Sequence, residues 1–199
     1  MKKLKILLLL SGGLDSLVSA LILKEQAKIQ CVHLILPFSK PSKNISEFCK
    51  KQNLKLHTLD YTRGGNLQKY LKLIRKPKFS RGTAINPCID CHIFMLKEAK
   101  KLAKKLKIGI IATGEVLGER PLSQNKKALN IIEKESKLNR KLLRPLSAKL
   151  LEETTAEKKG QINREKLLDI QGRKRNIQLQ IARKCRVRIP DIGGGMPSL

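Results

Sequence analysis

The chain has few aromatic residues and few acidic ones for its length. Its 199 residues include no Trp, two Tyr and four Phe, and 16 acidic residues stand against 43 Lys and Arg. So few rings exclude a binding surface built mainly on base stacking. The formal net charge of +27 predicts a polyanionic partner such as a nucleic acid, bound through its phosphates and therefore sensitive to salt. The alternative is that a genomic bias towards Lys produces part of this charge.

Long apolar runs are also missing. No stretch approaches the roughly 18 apolar residues of a membrane-spanning helix. The basic N-terminus and the run Leu7–Leu10 do not form a signal peptide, because Gly12, Gly13 and Asp15 end the apolar segment too early. Five irregularly spaced cysteines do not match a secreted disulfide scaffold. We therefore expect a cytoplasmic protein with no membrane segment.

The pattern of apolar residues predicts an α/β fold with a parallel sheet. Short runs typical of buried strands alternate with segments of helical spacing, the order found in parallel α/β proteins. Predicted strands cover residues 3–10, 29–36, 55–59 and 107–112, and predicted helices cover residues 14–27, 45–52, 66–74, 91–106 and 177–184.

Residues 11–16, with the sequence Ser-Gly-Gly-Leu-Asp-Ser, follow the first predicted strand and open the first predicted helix. A helix N-terminus presents unpaired N–H groups and the positive end of the helix dipole, so it suits an anion. The two glycines let the backbone approach that anion, and the two serines add hydroxyl donors. Asp15 is suited to orient Mg²⁺ on bound phosphates. The sequence therefore predicts a phosphate-binding loop; the alternative is a plain glycine turn.

A second loop is expected at the same edge of the sheet. Thr113 and Gly114 directly follow the predicted strand 107–112. Open α/β sheets bind nucleotides at the carboxyl ends of their strands. We therefore expect these two residues to form a second wall of the nucleotide site.

The segment Asn86–His92 reads Asn-Pro-Cys-Ile-Asp-Cys-His and places two cysteines at the start of a predicted helix. This position predicts lowered pKa values and nucleophilic thiols for Cys88 and Cys91. The pair is compatible with a metal or iron–sulfur site, a persulfide for sulfur transfer, a redox disulfide, or simple packing. A zinc ribbon is excluded because the sequence has no second C-x-x-C pair. We interpret His92 as a hydrogen-bonding or helix-capping residue, not as a metal ligand.

The phosphate loop and the cysteine pair together favour sulfur insertion. ATP would activate a carbonyl oxygen as an adenylate, and sulfur would then displace AMP. In RNA the natural target is a uridine or cytidine carbonyl.

Six segments of the chain together resemble one family, the PP-loop ATPases described as predicted tRNA thiouridylases, which are related to the tRNA 2-thiouridine and 4-thiouridine synthases. The resemblance implies a Rossmann-like parallel sheet of the PP-loop (adenine nucleotide alpha hydrolase-like) type and extends over nearly the whole chain. The segments are Ser11–Ser16, Asn86–Leu96, Thr113–Gln124 (TGEVLGERPLSQ), Ile132–Ser136, Leu143–Leu150 and Gly172–Gln178.

The resemblance implies an ATP-dependent tRNA sulfurtransferase with ATP and Mg²⁺ at its site, tRNA as its partner, and a persulfide carrier or sulfide as its sulfur donor. Cys91 matches the catalytic cysteine of the 2-thiouridine synthases, with Cys88 and Asp15 as further catalytic candidates. The nucleotide-binding positions would be Ser11, Gly12, Gly13, Leu14, Asp15, Ser16, Thr113, Gly114 and Glu115, and the RNA-facing positions Arg144, Arg173, Lys174 and Arg175.

A 4Fe–4S cluster is a further implication, because Cys88 and Cys91 match two of the three cysteines that hold one in cluster-bearing relatives. The third ligand falls in Gly193–Met196, where the family pattern Ala-Gly-Gly-Cys has Met196 in place of the cysteine. A thioether is a poor ligand for such a cluster. Cys185 is the only nearby substitute.

The C-terminal part leaves alternatives open. We divide the chain into an ATP-binding domain, residues 1–150, and a short basic appendage, residues 151–199, expected to be a truncated RNA-binding region. A minimal or degenerate member would bind tRNA or handle sulfur without turnover. Another adenylating ligase of the PP-loop class would need no cysteine pair. A homodimer is compatible with the sequence.

Overall fold

The computed structural model describes residues 3–38, 44–79 and 86–188. Five parallel strands form one sheet in the order β3-β2-β1-β4-β5, which confirms the predicted α/β class. The strands are β1 (Lys5–Leu9), β2 (Lys28–Ile35), β3 (Lys55–Asp60), β4 (Ile110–Ala112) and β5 (Leu142–Leu143).

Helices cover both faces of this sheet. Two short 3₁₀ turns, Ala148–Leu150 and Arg164–Lys166, accompany them. The helices are α1 (Leu14–Gln26), α2 (Asn44–Lys51), α3 (Gly64–Arg75), α4 (Cys88–Lys105), α5 (Lys126–Glu135), α6 (Thr155–Lys158) and α7 (Asn176–Lys184).

The central strand β1 is buried on both faces, as a parallel sheet with helices on each side requires. Ile6 and Leu8 pack in a core with α1 and α2, whereas Leu7, which points to the opposite face, packs with α3, α4 and α5. Because the strands are parallel and β1 pairs with β4, the loops that follow these two strands leave the same edge of the sheet.

The described part of the C-terminal segment packs against the rest of the fold, which differs from the appendage expected after residue 150. Ala156, Ile162 and Leu167 belong to the core that contains β1 and α1. Ile170 and Ala182 pack in a third cluster, against the first turns of α1. Long-range packing thus places several apolar residues of this segment against the sheet and α1.

None of the helices in the described residues is long and apolar enough to cross a lipid bilayer.

Candidate active site

The phosphate loop, residues 11–16 between β1 and α1, is closed by short-range hydrogen bonds. The Ser11 hydroxyl donates to the Ser16 Oγ (3.2 Å) and accepts from the Gly13 N–H (3.3 Å), and the Ser16 hydroxyl donates to the Gly13 carbonyl (2.8 Å). Gly12 has a φ of +84°, which glycine adopts without strain. Gly13 is the N-cap of α1 and has no side chain with which to cap its first N–H groups. These groups and the two hydroxyls suit an anion.

The loop after β4 contacts the phosphate loop at Gly114. A Cβ on Gly114 would lie 2.6 Å from the Ser16 nitrogen and 2.7 Å from the Ser16 Cα, too close for any other residue. Leu14 is buried and packs in the third cluster, so only its backbone is available to a nucleotide. The two loops expected to share a nucleotide are therefore in direct contact.

The Asp15 carboxylate faces the N-terminus of α7. Gln178 donates from Nε2 to Asp15 Oδ1 (3.0 Å), and the Arg175 guanidinium lies 3.7 Å from Oδ2 while donating to Glu119 Oε1 (2.6 Å). Burial and the nearby Glu119 charge raise the pKa of Asp15, against the opposing effects of Gln178 and Arg175. Gln178 is buried, and its Oε1 has no hydrogen-bond partner within the described part of the chain.

Glu115 is the centre of a buried ionic network. Its Oε1 lies 2.7 Å from His92 Nδ1, and its Oε2 accepts hydrogen bonds from Arg144 Nε and the Thr113 hydroxyl, both at 2.9 Å. Arg144 also donates to Glu133 Oε2 at 3.0 Å. Burial alone would raise the pKa of Glu115, but Arg144 and His92 hold that pKa well below its usual range. The ionised Glu115 carboxylate thus links the loop after β4 to α4 directly and to α5 through Arg144.

The cysteine motif occupies the first turn of α4. Cys91 is buried and its Sγ lies 3.4 Å from the Tyr70 hydroxyl oxygen, whereas Cys88 is partly exposed. The Asp90 carboxylate between them accepts hydrogen bonds from the backbone N–H groups of Lys78 and Phe79, both at 2.9 Å. These bonds hold the residues that follow α3 against the start of α4.

The lowered thiol pKa values predicted from the helix N-terminus are wrong. Burial raises the pKa of Cys91 to about 11 and also raises the pKa of Cys88, where the positive charge of Arg120 acts in the opposite direction. The free-energy cost of burying a thiolate is larger here than the stabilisation that a helix N-terminus gives to its negative charge.

Two adjacent residues connect the phosphate loop with the cysteine motif. Glu119 is close enough to Asp15 to raise the pKa of its carboxylate, and Arg120 is close enough to Cys88 to oppose the rise in its pKa. Neighbouring Cα atoms are only about 3.8 Å apart. The phosphate loop, the β4 loop (residues 113–125) and the partly exposed thiol therefore lie near one another at the carboxyl edge of the sheet.

The described residues do not fit a 4Fe–4S cluster. Within that part of the chain, no group of three or more His, Cys, Asp and Glu side chains is placed to hold a metal ion. Cys185 is the C-cap of α7, about 10 Å along that helix from the end that meets Asp15. The predicted turn and third ligand position, Gly193–Met196, lie outside the described residues. Cys88 and Cys91 thus supply two ligands at most.

The cationic residues expected to face RNA fall into two groups. Arg173 and Lys174 are exposed just before α7, and RNA contact stays a prediction for them. Arg144 differs from the expectation, because it is 5% exposed and bonded to two carboxylates. Arg175 is half-buried and turned towards carboxylates as well. Both arginines therefore organise the site from within the protein.

Several residues that hold this site together were not predicted from the sequence. Glu119 and Gln178 lie inside two of the resembling segments, Thr113–Gln124 and Gly172–Gln178, and Asp90 lies inside the cysteine motif. Their membership in these segments was the available signal. Their partners are far away along the chain, so no local pattern reveals them.

Comparison with known proteins gives low-identity structural matches. No curated protein matches the chain significantly. A predicted subunit of tRNA methyltransferase from Methanocaldococcus jannaschii is 22% identical, with a TM-score of 0.49 over 72% of this chain and 67% of that one. An NH3-dependent NAD synthetase from Campylobacter jejuni is 16% identical (TM-score 0.45; 70% and 69%). An NMN synthetase from Francisella tularensis is 13% identical (TM-score 0.41; 94% and 79%).

The sequence-family comparison matches residues 2–158 to the family described as Thiamine biosynthesis protein (ThiI). The matched range covers most of the chain and includes the phosphate loop, the cysteine motif and the β4 loop. This protein therefore belongs to the ThiI family, and the predicted relationship to the PP-loop, ATP-using enzymes is confirmed.

Proposed function

We propose that the protein is an ATP-dependent tRNA sulfurtransferase, which adenylates a base carbonyl and replaces its oxygen with sulfur. The observation that carries this proposal is that an anion-binding loop and a partly exposed thiol both lie beside the β4 loop at the carboxyl edge of the sheet. Glu119 of this loop lies near Asp15, and Arg120 lies near Cys88. Membership of the ThiI family supports the same chemistry.

In the first step the phosphate loop would bind the phosphates of ATP. The N–H groups at the start of α1 and the Ser11 and Ser16 hydroxyls would donate to phosphate oxygens. The base carbonyl oxygen would attack the α-phosphorus, and pyrophosphate would leave. Gly114 keeps the β4 loop against this site, so the base and the nucleotide would share one confined space.

Asp15 fits the Mg²⁺ that ATP brings with it. Magnesium sites on nucleotides commonly use one or two carboxylates together with phosphate oxygens and waters. The Asp15 carboxylate stands in the first turn of α1 and is held by Gln178 and Arg175. Mg²⁺ would neutralise phosphate charge during adenylation.

In the second step sulfur from a persulfide carrier or from sulfide would displace AMP, which leaves with the original carbonyl oxygen. Cys88 is the thiol that an external donor would meet first, because it is partly exposed and lies near the positive charge of Arg120. Cys91 matches the family's catalytic position by resemblance but is buried against Tyr70. We propose that a persulfide carrier passes its terminal sulfur to Cys88 and leaves as a thiol. This sulfur then attacks the activated carbon and expels AMP. The Cys91 thiolate cleaves the resulting S–S bond, which frees the thiocarbonyl and leaves a Cys88–Cys91 disulfide that an external dithiol reduces.

Exposed cations around the carboxyl edge support tRNA as the substrate. Five of them lie at or just before the N-termini of α3, α5 and α7, and the sixth lies in the β4 loop. Phosphate contacts of this kind position a nucleic acid without reading its bases. The residues are Arg63, Arg120, Lys126, Lys127, Arg173 and Lys174.

The decisive test is release of AMP and pyrophosphate from ATP, with and without bulk tRNA, under anaerobic conditions. We expect tRNA to stimulate AMP release. Binding of both ATP and tRNA without AMP release would contradict the proposal and indicate a protein without turnover.

Cysteine variants separate sulfur transfer from other adenylating reactions. In Cys88→Ala and in Cys91→Ala, we expect tRNA-stimulated AMP release to continue while the thionucleoside, measured by mass spectrometry of digested tRNA, is lost. Alkylation with iodoacetamide should modify Cys88 faster than Cys91. A double variant with full product formation would instead favour a ligase that needs no thiol.

A further inference from the structure

Helix α5 presents an exposed cationic stripe (Lys126, Lys127, Asn130 and Lys134), which continues along the helix from the edge cations Lys126 and Lys127 named above. Lys126, Asn130 and Lys134 are four residues apart and therefore lie on one side of the helix. These three residues also line a cavity of about 460 Å³ beside α5, to which Arg140 contributes. On the open surface of the helix Lys127 and Ile131 lie next to them.

The acidic residues near the stripe already have partners. Residues 126–141 contain six Lys and Arg but only two Glu. Glu133 accepts from Arg144 and from the Arg140 backbone N–H, and Glu135 pairs with Lys78 at 3.4 Å. Within the described residues, Lys126, Lys127 and Lys134 form no ion pair shorter than 4 Å. Their charge is therefore available to a partner.

The position of these lysines does not serve the helix itself. Lys126 and Lys127 occupy the first turn of α5, which has no acidic residue. Cations there oppose the helix dipole and cost stability. The same placement adds their charge to the positive end of the helix, which concentrates positive potential at one spot.

The stripe begins beside the β4 loop and leads away from the candidate active site. The N-terminus of α5 directly follows the β4 loop, and Glu133 beneath the stripe connects through Arg144 to Glu115. From Lys126 to Lys134 the helix rises about 12 Å, which spans roughly three stacked nucleotides at about 3.4 Å each.

We propose that this α5 stripe (Lys126, Lys127, Asn130 and Lys134) binds the phosphodiester backbone of the RNA whose base enters the candidate active site. The inference rests on the proposed function, because that function supplies the RNA. Ammonium and amide groups suit phosphates, whereas a protein partner would need buried aromatic or apolar anchors. Among the stripe residues the surface offers one apolar side chain, Ile131, and it is only partly exposed.

The test compares two triple variants with the same loss of charge. The stripe variant combines Lys126→Gln, Lys127→Gln and Lys134→Gln. The control variant combines Lys97→Gln, Lys104→Gln and Lys105→Gln in α4, where the three lysines are also exposed. Binding of tRNA is measured by fluorescence anisotropy from 50 to 300 mM KCl. We expect the stripe variant to raise the Kd by at least about tenfold and to reduce the slope of log K against log salt by about two to three.

The control variant should change the slope by less than about one. Both variants should keep ATP binding, and neither should have a melting temperature below that of the wild type, because Lys126 and Lys127 oppose the dipole of α5. Equal slopes for the two variants would overturn the proposal. Unchanged tRNA binding with weaker binding of polyglutamate would assign the stripe to an acidic polypeptide and would overturn it too. Absence of tRNA-stimulated AMP release in the wild type would contradict the proposed function, a result distinguishable from a change in tRNA binding.

Discussion

The two loops that meet at the carboxyl edge of the sheet are held together in opposite ways. In the phosphate loop, residues 11–16, the hydrogen bonds of the Ser11 and Ser16 side chains connect residues no more than five positions apart, whereas Asp15 bonds to the distant Gln178. In the β4 loop, residues 113–125, Glu115 bonds to residues 23 and 29 positions away, and Glu119 bonds to one 56 positions away. Apart from Asp15, the first loop is shaped by its own sequence. The second exists in this form only when α4, α5 and α7 are in place.

The difference also has an energetic side. A single hydroxyl hydrogen bond contributes about 0.5–1.5 kcal/mol, whereas removing one partner of a buried ion pair costs about 3–5 kcal/mol. The β4 loop should therefore carry more of the stability, and the phosphate loop more of the nucleotide affinity. Four changes test this division.

The largest effect is expected for Glu115→Gln. The substitution removes the charge that pairs with His92 and with the buried Arg144 guanidinium, and Glu133 is left as the remaining carboxylate on Arg144. We expect the free energy of unfolding to fall by about 3 kcal/mol, as measured by urea denaturation.

Glu135→Gln is the matched control, because Glu135 pairs with the exposed Lys78 at 3.4 Å. An exposed pair contributes about 0–1 kcal/mol, so this variant should be nearly as stable as the wild type. If the two variants lost equal stability, the long-range network would not be the stronger of the two supports.

Gly114→Ala breaks the contact between the loops. The added Cβ would lie 2.6 Å from the Ser16 nitrogen and 2.8 Å from the Asp15 carbonyl carbon, so the backbone of one loop must move. We expect a loss of about 2 kcal/mol in stability together with loss of ATP binding, measured by calorimetry. In Gly109→Ala the new Cβ meets nothing within 4 Å, and this variant should keep both properties. Normal ATP affinity in Gly114→Ala would show that the contact does not shape the nucleotide site.

Acid should weaken the β4 loop through Glu115. Its pKa is lowered in the folded protein, because Arg144 and His92 overcome the effect of burial. A carboxylate of this kind stabilises the fold above its unfolded pKa of about 4.3, and the contribution is lost as the pH falls further. Below about pH 4 the wild type should lose up to about 1.4 kcal/mol per pH unit more than Glu115→Gln. Parallel stability curves for the two proteins would contradict this assignment.

The smallest effect on stability is expected for Ser16→Ala. The variant loses the hydrogen bond from the Ser16 hydroxyl to the Gly13 carbonyl, which contributes about 1 kcal/mol. ATP affinity should fall by about tenfold, because a donor to phosphate is also lost. Ser19→Ala removes a similar bond, from the Ser19 hydroxyl to the Asp15 carbonyl at 2.8 Å, and should leave ATP affinity unchanged. Equal affinities in the two variants would remove Ser16 from the phosphate site.

Most of the fold was predictable because its signals are local. Buried strands and amphipathic helices leave periodic patterns, and the predicted segments 14–27 and 177–184 match α1 and α7 closely. The strand β5 was missed because its two residues, Leu142–Leu143, are too few for any period. Helix α5 was missed as well; its buried residues are only Ala128, Leu129 and Ile132, within a charged segment.

The sequence alone specified the phosphate loop and the presence of a helix beginning at the cysteine motif. Glycine, hydroxyl and strand–turn–helix signals act within a few residues, so they are readable without any tertiary contact. It also determined the strong positive charge, which needs no structure to attract a polyanion.

The exposure, charge state and pairing of these groups depend on tertiary packing. Packing buries Cys91 against Tyr70 and leaves Cys88 partly exposed, which reverses the thiol pKa shifts expected from the helix N-terminus. Packing also turns Arg144 inward and brings Gln178 to Asp15, 163 positions away in the chain. Burial and pairing depend on elements far apart in sequence, so no local pattern contains them.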